Sequence, residues 1–463
     1  MPRISRNRLA VKAIPVVAAA GLMAMPALAA GQSMEEKMQA LEAQMQALQA
    51  QLEELKRAQA AQQAQATQPA PAQAAQTSKQ PAQEQAALKV DAKGAPRFSG
   101  EGFKNFKLRG RVMADFGHVS GAGQLNDPGL GTTTEIRRAR IGVEGGFAAF
   151  SYRIEADFAD NDVAMADAYV RWRNGDFDVT VGNQRAPFSM EEMTSSLHSA
   201  FLERAGFTDS FGFDREIGVT LTWSGDHYGL SGGVYSDARL SGDDEANGYL
   251  VSGRGHYVFD VGEGWAMLGA SAMHRASGAA PTRYRNRPLI HTTDTRFISA
   301  TTNASSDTLW GVETAGAWGP FWAAAEWAWA RADLPAPLAA GLDAKYQADG
   351  GYVHAGWYIT GEARGFNKGK GIWSSTTPRR ALSEGGFGAF ALALGWEDND
   401  LSDQGAGVIG GRQTGYLASL TWIPETHVRF IAQYALVEVD DRFPDLDGNG
   451  HVDVFGLRTQ VSW

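Results

Sequence analysis

Eight basic side chains fall on the polar face of short runs in which apolar and polar residues alternate: Lys107, Arg109, Arg111, Arg138, Arg140, Arg153, Arg171 and Arg173. Two more, Arg185 and Arg204, lie in the stretch that follows. A guanidinium presents a planar fork matching two oxygens of a phosphate or carboxylate, and an ammonium presents a compact charge. Several such groups of moderate strength suit passage of an oxyanion, because conduction needs release as well as binding. The acids Glu144, Glu155, Asp157 and Asp167 share these faces. The same cations would therefore also serve as structural ion-pair partners in a polar interior.

The runs that position them have a period of two, which sends successive side chains to opposite faces of a strand. Phe106, Leu108, Gly110, Val112, Ala114 and Phe116 oppose Lys107, Arg109, Arg111, Met113 and Asp115. Ala139, Ile141 and Val143 oppose Arg138, Arg140 and Glu144, and Tyr152, Ile154 and Ala156 oppose Arg153, Glu155 and Asp157. Ala168, Val170 and Trp172 oppose Tyr169, Arg171 and Arg173, and the pattern continues at 177–181 and 216–223. Further strands are expected near 249–259, 265–275, 309–330, 349–360, 386–397, 413–423 and 427–439. A soluble sandwich would bury the apolar face, whereas a membrane barrel would turn it to lipid and the charged face to the lumen.

The connections favour the barrel. Asn174-Gly175-Asp176 and Ser224-Gly225-Asp226-His227 are short, whereas 117–133, 276–306, 331–348 and 440–452 are long and polar. Short turns at one end and long loops at the other are the barrel pattern, and strand ends rich in Trp and Tyr suit a membrane–water interface. At roughly ten residues per strand, residues 98–463 close as an all-β, transmembrane antiparallel β-barrel of about 16 strands. Phe455, Leu457, Thr459, Val461 and Trp463 alternate to the end, resembling the aromatic terminal signal of bacterial outer-membrane proteins.

The N-terminal residues differ in kind. Arg3, Arg6, Arg8 and Lys12 precede an apolar run ending at Ala27-Leu28-Ala29, so residues 1–29 read as a secretory signal. Met34, Met38, Leu41, Met45, Leu48, Leu52 and Leu55 form an unbroken a/d seam, so residues 30–57 read as a periplasmic coiled-coil helix preceding the barrel. That helix could also contact the cell wall as a tether. Ala, Gln and Pro dominate 58–97, which reads as a linker. The chain has 463 residues, no cysteine and a net charge of −10, which excludes thiolate metal sites and argues against a nucleic-acid partner. No apolar run approaches the roughly 20 residues of a spanning helix. No residue pattern calls for a cofactor.

Residues 182–205 break the alternation, opening on Gly182, Asn183 and Pro187 and continuing through hydroxyl-rich, charged segments. They form either an ordinary surface loop or a segment folded inward to narrow a pore. Between 186 and 214, Glu191, Glu192, Glu203, Asp209 and Asp214 outnumber Arg204 and the titratable His198. An outer-membrane hydrolase is a poor fit, since no Gly-x-Ser-x-Gly elbow occurs. Asp445 to Asp453 imitates the first half of a calcium-binding loop, but Gly456 stands where the bidentate Glu belongs, which favours a plain turn.

Several of these segments together carry a family resemblance. Arg137-Arg138-Ala139-Arg140-Ile141-Gly142-Val143-Glu144-Gly145, Tyr152 to Phe158 and Asp167-Ala168-Tyr169-Val170 resemble early strands of the phosphate-selective porin O/P family. Gly182 to Glu191 and Phe201-Leu202-Glu203-Arg204-Ala205 resemble it also. The resemblance implies a 16-stranded homotrimeric channel embedded in outer-membrane lipid, with an inward-folded third loop. It also implies basic residues that guide anions; the residues themselves leave open passage of small anions such as phosphate or polyphosphate, or a general, weakly selective porin.

Overall fold

A free sheet edge leaves a row of peptide N–H and C=O groups unpaired, and this chain removes its edges by closing. The computed structural model describes residues 89–91, 97–100, 103–121, 125, 130–159, 162–236, 248–276, 282–440 and 450–463. Sixteen antiparallel strands form the wall. They are β1 (Phe103–Gly121), β2 (Gly131–Phe147), β3 (Phe150–Asp157), β4 (Ala164–Asn174), β5 (Phe177–Arg185), β6 (Arg215–Ser224), β7 (Tyr228–Ser236) and β8 (Tyr249–Val261). Then come β9 (Gly264–Ala276), β10 (Ser306–Trp318), β11 (Phe321–Asp333), β12 (Lys345–Tyr358), β13 (Ala389–Asp400), β14 (Arg412–Glu425), β15 (Val428–Asp440) and β16 (Gly450–Ser462). Each pairs with the next, and β16 returns to β1 from Val452 opposite Gly121 to Ser462 opposite Arg111.

The two faces separate by environment as the alternation requires. Ile141 is 53% exposed beside Arg140 at 5%, and Val219 is 41% exposed beside Thr220 at 7%. The exposed apolar residues form the lipid-facing band, and the polar ones face the lumen. Aromatic pairs mark one rim: Phe147 with Phe150, Trp172 with Phe177, Trp223 with Tyr228 and Phe321 with Trp357. All flank the short-turn end, where their rings suit the membrane interface. Gly175, Gly262 and Gly319 take positive φ in these turns, a conformation that costs other residues more.

Several details depart from the alternation reading. Strand β7 was not among the expected strands, and the run at 309–330 is a hairpin of two strands, β10 and β11. Strand β1 extends to Gly121, shortening the first loop, and β5 runs to Arg185, so the excursion from the wall begins at 186 rather than 182. Residues 359–388, joining β12 to β13, form a long connection at the short-turn end, which alternation did not foresee. Lys89–Asp91 pairs with Arg97–Gly100, so the expected linker at 58–97 contains a strand near its end. The expected signal, the coiled-coil helix at 30–57 and the rest of that linker lie outside the described residues, as does most of the calcium-loop imitation at 445–453.

If the outer band meets lipid, a charge placed mid-strand on it should be costly. Val219→Arg is expected to lower stability by about 2–4 kcal/mol, read from urea unfolding in lipid vesicles. Val219→Leu should leave it nearly unchanged.

Candidate functional site in the barrel lumen

Residues 186–214 leave the wall and enter the barrel as short helices, Met190–Met193, Ser196–His198 and Gly206–Ser210, joined by irregular chain. A segment buried this way has few main-chain partners of its own, so other groups must supply them. Wall side chains do so. Glu326 on β11 accepts the main-chain N–H of Met190 at 2.9 Å and of Glu191 at 2.7 Å, and the Tyr352 hydroxyl at 2.8 Å. Glu397 on β13 accepts Gly206 N–H at 2.6 Å, and Gln433 on β15 accepts Leu202 N–H at 2.8 Å. Arg458 on β16 donates to Leu202 C=O and pairs with Asp115 at 2.6 Å and Glu203 at 2.9 Å.

Apolar side chains reinforce the anchoring. Phe188, Met190, Phe201, Leu202, Phe207 and Phe211 are all buried, each contributing roughly 1.5–3 kcal/mol. Residues 282–305 close over them from the loop side, burying Tyr284, Leu289 and Ile290. Gln413 and Gln433 hold this cover through the carbonyls of Arg287 and Leu289. These residues thereby occupy much of the lumen beside β9–β16.

The open half lies along β1–β8, as a cavity of about 480 Å³. Ten Arg or Lys side chains line it, against two acids, Asp167 and Asp178. Seven of the sequence-predicted residues are among them: Arg109, Arg111, Arg140, Arg153, Arg171, Arg173 and Arg185. Arg138 and Arg204 line a second cavity of about 260 Å³, which shares Arg140, Arg185 and Arg215 with the first. Lys107 lines a third, with Arg109 shared. The wall acids sit behind the cations and hold them: Glu155 meets Arg109, Arg111 and Arg140 at 3.0, 3.4 and 3.3 Å. Arg153 pairs with Glu144 and Asp167, and Arg173 forks onto Asp178 at 2.6 Å. Arg171 has no carboxylate partner among the described residues and donates to Thr180 Oγ1 at 3.0 Å.

The acids of 186–214 are almost all engaged. Glu192 sits between Arg185 at 3.0 Å and Arg204 at 3.7 Å. Although burial opposes its charge, Arg137 and Arg458 hold the Glu203 carboxyl well below the usual range. Asp209 accepts Arg287 N–H, and Asp214 accepts Arg215 N–H. Glu191 is buried on the filled side, and that burial pushes its carboxyl upward.

Alternation missed some residues that the structure brings into the site. Arg137 is the extra residue of a β-bulge opposite Met113 and Ala114, which carries it to the Glu203 carboxylate while Arg138 still lines the outer cavity. Arg215 starts β6 and pairs with Asp167. Arg254 alternates with the exposed Val251 and Tyr257 face of β8 and was legible there in principle. Lys370 arrives from the long 359–388 connection, which no periodicity marked.

Two outcomes follow from this geometry. Glu326→Ala strands two buried N–H groups at about 1–3 kcal/mol each, so single-channel records should become noisier and the inward segment more readily cleaved by protease. Glu326→Gln should do less, since one acceptor oxygen remains. His198 is pushed down to about 3 by burial and by Arg429, Arg111 and Arg364. A folded-state value below the unfolded one favours the neutral ring, so stability should fall only as pH drops from 6.5 toward 3. Current should then show no His198-dependent step between about pH 7 and 8, and His198→Gln should leave it unchanged there.

The sequence model of the phosphate-selective porin O and P family matches residues 106–463. An uncharacterized protein of Caulobacter vibrioides is 36% identical over 387 residues, spanning 80% of this chain and 76% of that protein. In fold, the chain resembles a loop L8 deletion mutant of the outer-membrane protein OmpT of Vibrio cholerae. The TM-score is 0.52 at 12% identity, over 78% of this chain and all of that one. The trimer form of in-vitro folded OmpT gives 0.50 at 11% identity, over 78% and 100%. The chain therefore belongs to the phosphate-selective porin O and P family and is a β-barrel porin of the bacterial outer membrane.

Proposed function

We propose that this porin passes small anions, phosphate-like oxyanions among them, along the basic wall formed by β1–β8. The observation that carries the reading is the imbalance of the main cavity, ten cations to two acids, with most wall acids set behind the arginines rather than in the path. Arg138, Arg185 and Arg204 gather anions in the outer cavity. Arg109, Arg111, Arg140, Arg153, Arg171 and Arg173 then hand them inward, and Lys107 lies at the adjoining cavity. Paired arginines keep free N–H groups for a passing anion while their acids moderate affinity, which favours release.

Homotrimeric assembly in outer-membrane lipid accompanies this reading. It is supported by the family and by the heptad seam at 34–57, which would suit three strands as well as two. The heptads leave room for an added contact with the cell wall.

Reversal potential across a planar bilayer under a potassium chloride gradient tests the proposal. Anion preference is expected, with added phosphate reducing chloride current. Arg171→Glu with Lys370→Glu should cut the anion-to-cation permeability ratio several-fold, because both charges face the open cavity. Cation preference in the wild type would overturn the reading.

A further inference from the structure

The 359–388 connection meets two environments. Its first half turns into the lumen, where Arg364 lies between the rings of Trp322 and Trp373 at 3.8 and 3.9 Å and donates to His198 C=O at 2.9 Å. Its second half comes back along the outer side of the short-turn rim. There Ser383 N–H donates to Glu425 at 2.6 Å, at the β14–β15 turn, and Trp422 Nε1 donates to Phe387 C=O at 2.8 Å. Trp422 shares the outer face of β14 with the exposed Tyr416 and Leu420. Its ring stacks on Phe390 at 5.9 Å and on Phe430 at 5.3 Å, so the segment rests on the aromatic girdle of the lipid-facing band.

What the segment shows to its surroundings is unusual for a turn that meets only water. Leu382 is 52% exposed and Phe387 81% exposed, side by side with the exposed Arg379 and Arg380. The nearby acids are turned inward onto main-chain groups. Glu384 accepts Ala381 N–H, Glu425 accepts Ser383 N–H, and the buried Glu362 accepts Arg379 N–H and the Thr360 hydroxyl. Neither Arg379 nor Arg380 makes an ion pair among the described residues, and neither lines a lumen cavity. The remaining turns at this end contain no Lys or Arg. Two apolar side chains beside two uncompensated cations, continuous with a girdle of rings, match an interfacial anchor: the apolar groups enter the acyl boundary and the cations meet anionic headgroups.

We propose that residues 379–387 anchor the barrel in the periplasmic leaflet of the outer membrane, Leu382 and Phe387 entering the headgroup–acyl boundary and Arg379 and Arg380 pairing with the phosphates of anionic phospholipid. Short turns face the periplasm in such barrels, which puts the segment at that leaflet. The helical turn Leu382–Glu384, closed by Gly385 at φ 73°, holds the apolar and basic side chains on one short element. The anchor depends on the barrel's place in the membrane and not on which ions its lumen passes, so this proposal and the reading of the lumen can fail separately.

The chain has no cysteine, so Ser383→Cys accepts a single bimane fluorophore at an exposed position of the segment. The full-length protein is reconstituted in phosphatidylcholine–phosphatidylglycerol vesicles in which one lipid or the other, at equal mole fraction, carries bromines near the top of its acyl chains. Brominated phosphatidylglycerol should quench the label about two-fold or more strongly than brominated phosphatidylcholine. Arg379→Gln with Arg380→Gln should bring the two lipids level, whereas Arg379→Lys with Arg380→Lys should keep the difference. Leu382→Ser with Phe387→Ser should weaken quenching by both. The heat-dependent shift in electrophoretic migration checks that each variant barrel is folded. Equal quenching by the two lipids in the chain altered at Ser383 alone would overturn the proposal. Quenching by neither would also overturn it, and would leave the exposed segment to a periplasmic protein or a second copy of this chain.

Discussion

A chain that enters the interior of a closed barrel loses water as a partner for its peptide groups. Residues 186–214 have too little regular structure to replace it, and the wall supplies what is missing. Glu326, Glu397 and Gln433 accept main-chain N–H groups, and Arg458 donates to a main-chain carbonyl. An unsatisfied buried group costs about 1–3 kcal/mol, so these few side chains fix both where the segment runs and which half of the barrel stays open. The aromatic and aliphatic contacts of Phe188, Phe201, Leu202 and Phe207 then fill the space that the anchors define.

The same constraint sorts the charges. Glu326 on β11 and Glu397 on β13 turn to the buried segment, and the acids Glu144, Glu155 and Asp157 of β2 and β3 turn back onto arginines, as Glu155 does with three of them. Neither group projects strongly into the open space. An acid-rich chain thus presents a basic lumen, because net charge counts residues without regard to where their fields are cancelled. Pairing also keeps neighbouring guanidiniums close without excessive repulsion.

Much of this was legible from periodicity. The alternation from Phe106 to Asp157 located the lumen-facing cations, since in a strand orientation follows from position alone. It failed where local geometry interrupts the count. The bulge at Arg137 brings two consecutive arginines to lumen partners, and only the pairing register reveals it. The 359–388 connection, which delivers Arg364 and Lys370, has no period of its own.

The sequence by itself determined most of the strands, the lipid and lumen faces, the closure and the family, because each rests on short-range patterning or on recognisable local motifs. It could not determine the electrostatic character of the passage. Counted along the chain, the acids of 186–214 outweigh its cations. Only the tertiary structure decided that Glu192 and Glu203 are spent on arginines, that Glu191 is buried, and that Arg364 and Arg429 have no carboxylate partner among the described residues. Coulomb interactions depend on distance and burial, and here both are set by contacts between residues as far as 255 positions apart in sequence.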